Sequence, residues 1–150
     1  MSVLALDCAT ACGWAVGAAQ TCFEYGTKNL APNGKHASPG SRYRRLRSLM
    51  IDTKKKFPDL KMIAFELPIF DHTSQLQKAY SHGYVAVIQL FCADHGMGYR
   101  GVHVSSLKKF ITGTGRASKD EMIAAIKSRG YDPQDDNAAD AIGIFLWATQ

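Results

Sequence analysis

The chain has 150 residues, 46% hydrophobic and 21% charged, which predicts one ordinary soluble domain over 1–150 with room for a real core. Eighteen Lys and Arg stand against 13 Asp and Glu, a formal charge of +5 that fits a polyanionic partner without requiring one. No apolar stretch is long enough to cross a bilayer, and the N-terminus lacks a basic start and a small-residue cleavage site, so the expectation is a soluble intracellular protein.

Val3-Leu4-Ala5-Leu6-Asp7 is an apolar run ending in one carboxylate; turn-forming residues and a second apolar run, Gly13-Trp14-Ala15-Val16-Gly17, follow. Short runs of this kind predict buried strands. An acid at such a strand end either caps the turn or faces a cation, and taken alone the turn reading leads. Thr21 to Thr27 predicts a third, antiparallel strand, completing a meander, and Asn29 to Gly40, with two Pro and two Gly, predicts a loop. The four cysteines (Cys8, Cys12, Cys22, Cys92) form no C-x-x-C pair and have no companion histidine spacing. They are expected as reduced core thiols rather than zinc ligands.

A helix is predicted from Ser41 to about Phe57, with Tyr43, Leu46, Met50 and Phe57 on one face. Its Arg44, Arg45, Arg47, Lys54 and Lys55 mark either a solvated face or a phosphate-facing one. Lys61 to Glu66 repeats the form of the first strand: apolar run, acid, turn. A long helix is predicted over about Ser74 to Ala93, and Gly83 in its middle costs about 1 kcal/mol against Ala unless close packing needs it. Tyr99 to Val104 predicts a fifth strand, and Ser105-Ser106 the cap of a short helix. Ser118 with Glu121 is a capping box opening a helix that stops at Gly130. Asp135-Asp136 opens the last helix. Three strands, helix, strand, helix, strand and helices predict an α/β domain with a mixed sheet.

Asp7 and Glu66 end strands, while Asp136 and Asp140 share one face of the last helix at i and i+4. Capping accounts for Asp135 or Asp136 and poorly for Asp140, which lies between alanines. If the first and fourth strands are adjacent and parallel, three or four carboxylates gather, and their repulsion calls for a divalent cation. An all-oxygen site suits Mg²⁺ or Mn²⁺.

On these residues the chain resembles the Holliday-junction resolvases of the RuvC family, in the ribonuclease H-like superfamily, and especially their compact phage-type members. Leu4-Ala5-Leu6-Asp7 with Gly13-Trp14-Ala15 is similar to the family's first hairpin, and Ala64-Phe65-Glu66 to its acidic strand. Leu107-Lys108-Lys109, Thr112 to Gly115 and Lys119 are similar to its basic segment, and Ala138-Ala139-Asp140-Ala141 to its terminal helix. The resemblance implies a ribonuclease H-like mixed five-stranded sheet, an antiparallel meander plus parallel strands, flanked by helices. It implies a metal-dependent endonuclease nicking four-way junctions or other branched DNA symmetrically, with two Mg²⁺ per site, leaving 5′-phosphate and 3′-hydroxyl ends. Asp7, Glu66 and Asp140 would be metal ligands. The family's fourth ligand falls at Asn137, so Asp136 is expected in its place, with Asn137 a weaker donor. Lys119 is expected beside the scissile phosphate. Arg42, Arg44, Arg45, Arg47, Lys108, Lys109 and Arg116 are expected on the DNA backbone, and Ile69 or Phe70 as an apolar wedge at the junction centre. The helix around Gly83 would form a homodimer in a bacterial cytoplasm. Alternatives are a YqgF-type ribonuclease of the same superfamily and a non-catalytic binder of branched DNA; an actin-like fragment ranks low because it needs a second phosphate loop.

Overall fold

In a computed structural model, residues 1–34, 37–69 and 74–150 are described. Phe70, one of the two expected wedges, lies outside them.

The first strand, β1 (Ser2–Asp7), is buried along almost its whole length, as a run apolar on both faces requires. Its odd residues Val3 and Ala5 enter one core, and its even residues Leu4 and Leu6 enter another on the opposite side of the sheet. Next come β2 (Ala11–Ala18) and β3 (Thr21–Asn29), which complete the expected antiparallel meander. β4 (Leu60–Glu66) lies parallel to β1 on its other side, and β5 (Gly98–Val102) extends the sheet in parallel. The order is β3-β2-β1-β4-β5. Because Leu6 pairs with Phe65, the acids that follow each, Asp7 and Glu66, emerge side by side.

Helices cover both faces. α1 (Pro39–Lys56) and α2 (Gln75–Asp94) pack on the Leu4 and Leu6 side. α3 (Val104–Thr112), α4 (Lys119–Ser128) and α5 (Asp136–Ala148) occupy the other. α1 starts two residues before Ser41, because Ser38 caps it and Pro39 takes the first helical position, where a missing N–H costs nothing. The Ser118–Glu121 capping box is present, and Gly130 stands just past α4 at φ 93°. The short helix starts differently from expectation. β5 stops at Val102, where its pairing with Glu66 ends, so His103 is the cap and Ser105 and Ser106 lie within α3.

The helix α5 crosses β1, β2 and β3 and is pinned at both ends. At its start the Asp135 carboxylate accepts from the Ala138 N–H (2.9 Å) and from the Thr27 hydroxyl of β3 (2.7 Å). Gly13 of β2 lies directly beneath; a Cβ there would stand 1.9 Å from the Asn137 carbonyl oxygen. At its end, Gln20 donates to the Leu146 carbonyl (2.7 Å) and the Thr149 hydroxyl (2.8 Å).

Gly83 permits a close approach within the chain. A Cβ on it would fall 2.1 Å from the Tyr43 hydroxyl, so the space this glycine frees is taken by α1. All four cysteines are free thiols, with Cys12, Cys22 and Cys92 buried. Among the described residues no helix is long and apolar enough to cross a membrane.

Candidate active site

Two neighbouring parallel strands that end in acids place those acids together at the carboxyl edge of the sheet, and α5 brings two more over the same edge. Asp7 is half-buried there. Burial pushes its carboxyl well above the usual range, and the charges of Asp140, Glu66 and Asp136 add to the rise. A hydrogen bond with Glu66 raises Asp7 further and opposes the upward push of burial on Glu66. Both carboxyls are therefore held toward the protonated form, burial being the first cause for each. Asp140 is pushed up to about 7, first by burial and then by the charges of Glu66 and Asp136. Asp7 and Asp140 thus both lie within reach of the charges of Glu66 and Asp136, four acids from three elements.

Two lysines answer them. Lys119, at the first position of α4, places its ammonium 3.3 Å from Asp136 Oδ2, and its charge also lowers Asp140. Lys108 of α3 lowers both Glu66 and Asp140. Lys108 is therefore no remote helix-end cation; its charge reaches two of the acids.

Among the described residues no group of three or more His, Cys, Asp or Glu is arranged to hold a metal ion. The acids are gathered, with Asp7, Glu66 and Asp140 held toward the protonated form and Asp136 paired with the Lys119 ammonium. The chemistry of the donors still fits a hard divalent cation: every candidate is a carboxylate, and Asp7 and Asp140 are costly to ionise without added positive charge.

The remaining basic residues are dispersed. Arg44, Arg45 and Arg47 are exposed on α1, in the opposite helical layer, and Lys109 and Arg116 are exposed on the α3–α4 side. Arg42 departs from its grouping with the surface arginines. It is 8% exposed, with its guanidinium 4.4 Å over the Tyr80 ring and bonded to the Thr10 hydroxyl at 3.0 Å. Its buried Nε has no partner. Arg42 thus ties α1 to α2 and to the turn after Asp7 instead of presenting a free surface charge. Ile69, the other expected wedge, is 51% exposed beyond the Glu66 strand end. Asn137 is half-buried above Gly13.

The sequence did not single out a cavity of about 380 Å³ that opens beside Asp7 and Glu66 and runs under α2, between Phe65, Tyr80, Tyr84 and Ile88. Its only advance signal was the aromatic content of α2's first half.

No protein-family profile and no curated protein matches the chain. Solved structures that it resembles include Thermus thermophilus RuvC, at 18% identity and TM-score 0.79 over 97% of this chain and 92% of that one. The T. thermophilus RuvC complex with Holliday junction substrate gives 18% and 0.80, over 97% and 91%. The yeast mitochondrial Holliday junction resolvase Ydc2 gives 12% and 0.67, over 96% and 75%. The mixed five-stranded sheet with its flanking helices is therefore the ribonuclease H-like fold that this chain shares with RuvC.

Proposed function

We propose that this chain is a metal-dependent endonuclease that cuts four-way junctions or other branched DNA by paired nicks. The observation that carries the reading is that Asp7 and Asp140 are both pushed up, by burial and then by the charges of acids distant in sequence, Glu66 and Asp136, at the sheet edge. A shared fold alone does not assign an activity. Carboxyls pushed above their ordinary range beside further acids in a cleft, with lysines facing them, suit phosphodiester hydrolysis better than a passive scaffold. The likeness to a RuvC structure solved with Holliday junction substrate supports branched DNA as the substrate class.

Asp7, Glu66, Asp140 and Asp136 would hold two Mg²⁺ (or Mn²⁺), with Asn137 contributing a weaker carbonyl donor. When bound, such ions activate water and stabilise charge on the departing oxygen. The chain's own part is to give up the protons that burial favours on Asp7 and Glu66 and to release Asp136 from Lys119. That ammonium, set free, faces the negative charge that builds on the phosphate. Lys108 holds the strand against the Glu66 side, while Arg44, Arg45, Arg47, Lys109 and Arg116 supply salt-sensitive backbone contacts. Ile69, exposed beyond the Glu66 strand end, would be the apolar side chain that enters the junction. A homodimer placing two such sites about a two-fold axis suits a four-armed substrate. Its interface would lie along α2, where Leu76, Gly83 and Leu90 fall on one helical stripe and the two leucines are exposed.

The test is labelled four-way junction, fork, duplex and RNA–DNA hybrid, incubated in Mg²⁺ and in EDTA, with Asp7→Asn alongside. Paired nicks of the junction in Mg²⁺ alone, abolished in the variant, are expected. Cutting of the hybrid alone would assign a ribonuclease, and binding without cutting would assign a passive junction binder.

A further inference from the structure

The cavity beside the acids has walls of unequal character. Leu67, Pro68, Ile69 and Val85 give it apolar surface over the buried Phe65, Tyr84 and Ile88, whereas Gln77 and Ser81, one helical turn apart on α2, give one side an amide and a hydroxyl. Tyr80 also lines it. The Arg42 guanidinium stands 4.4 Å over the Tyr80 ring and is bonded to Thr10, another lining residue, so the cation holds the ring in place at the cavity without itself lining it. A ring braced in this way is a platform for stacking a flat ligand. About 380 Å³ accommodates one heterocycle with room for its sugar. Asp7 and Glu66 belong to the same wall, so a strand with a phosphate at the acids carries an attached base within reach of the opening.

We propose that this cavity receives one unpaired nucleobase of the strand being cut, stacked on Tyr80 and read along its edge by Gln77 and Ser81. The inference rests on the nuclease reading and deepens it: Tyr80 and Gln77 become determinants of the sequence at which a junction is cut. Taking a base from its stack costs least where pairing is already interrupted, which is the condition at a branch point. The stacking face accepts any base, and the amide side supplies the discrimination.

Wild type, Tyr80→Ala and Gln77→Ala are compared on junctions randomised around the exchange point, with thermal unfolding run on each. Gln77 is exposed, so its variant is expected to melt as wild type does while losing preference at one position. Tyr80→Ala is expected to slow cutting about ten- to a hundredfold, and an abasic nucleotide at that same position to make it equal to wild type. In EDTA, a junction carrying 2-aminopurine at the branch is expected to change fluorescence on binding wild type and not on binding Tyr80→Ala. Unchanged preference in both variants, or a Tyr80→Ala defect that persists on the abasic substrate, overturns the base pocket. A wild type that cuts nothing, yet gives the Tyr80-dependent fluorescence change, overturns the nuclease reading and leaves the pocket standing.

Discussion

Replacing Asp140 by Asn removes a carboxyl that the fold holds at about 7, against an ordinary 3.8. The folded chain therefore keeps a proton that the unfolded chain has already released. The stability this provides is full below about pH 4 and is lost as pH rises through about 7. Asparagine stays neutral throughout. Taking 3.8 unfolded and about 7 folded, the gap between variant and wild type widens by about 3 kcal/mol from pH 5 to pH 8 in EDTA. For a domain of this size that corresponds to about 6–12 °C in melting temperature. Thermal unfolding at both pH values, with and without Mg²⁺, provides the measurement. Asp140→Asn should be the more stable protein at pH 8 in EDTA, and Mg²⁺ should close the gap by raising wild type alone. A gap equal at both pH values, or a variant less stable than wild type at pH 8, would refute the electrostatic account of the site.

Gly13→Ala forces a methyl group to within 1.9 Å of a helix backbone oxygen, which no rotamer change relieves, so α5 must move. A loss of about 1–3 kcal/mol is expected, read as a lower melting temperature, along with a smaller stabilisation by Mg²⁺ because Asp136 and Asp140 move with the helix. Lys119→Met should do the reverse: the ion pair is exposed on the lysine side, so melting shifts by no more than a few degrees while junction cutting falls about a hundredfold.

The strand-end acids were legible because an apolar run closed by one carboxylate fixes both the element and the exposed end. Asp140 was legible because alanines beside it leave a capping role unfilled. What stayed hidden depended on partners in other elements. Arg42 looks like its neighbours Arg44 and Arg45 in a list of residues; only the arrival of Tyr80 from α2 and Thr10 from the first turn buries it. Gly83 signalled a close approach and could not name what approaches, which is Tyr43. The start of α3 was set by where β5 loses its pairing with β4, so the serines that look like caps lie inside the helix.

The acids repel, so something must hold α5 against them. Asp140 alone, fully ionised, costs at most about 4 kcal/mol by its displacement from 3.8 to about 7. Against this, Ile142, Ile144, Phe145 and Leu146 of the same helix are each under 5% exposed. At about 1.5–3 kcal/mol apiece, burying them contributes roughly 6–12 kcal/mol. The burial of these four side chains therefore outweighs the cost of ionising Asp140, and the helix stays docked with that carboxyl charged. By this comparison Asp140 strains the site without undocking the helix, and a divalent cation bound there would relieve that strain. Substitutions that neutralise the acids should accordingly release stability while removing activity, the trade expected where a site rather than the scaffold carries the strain.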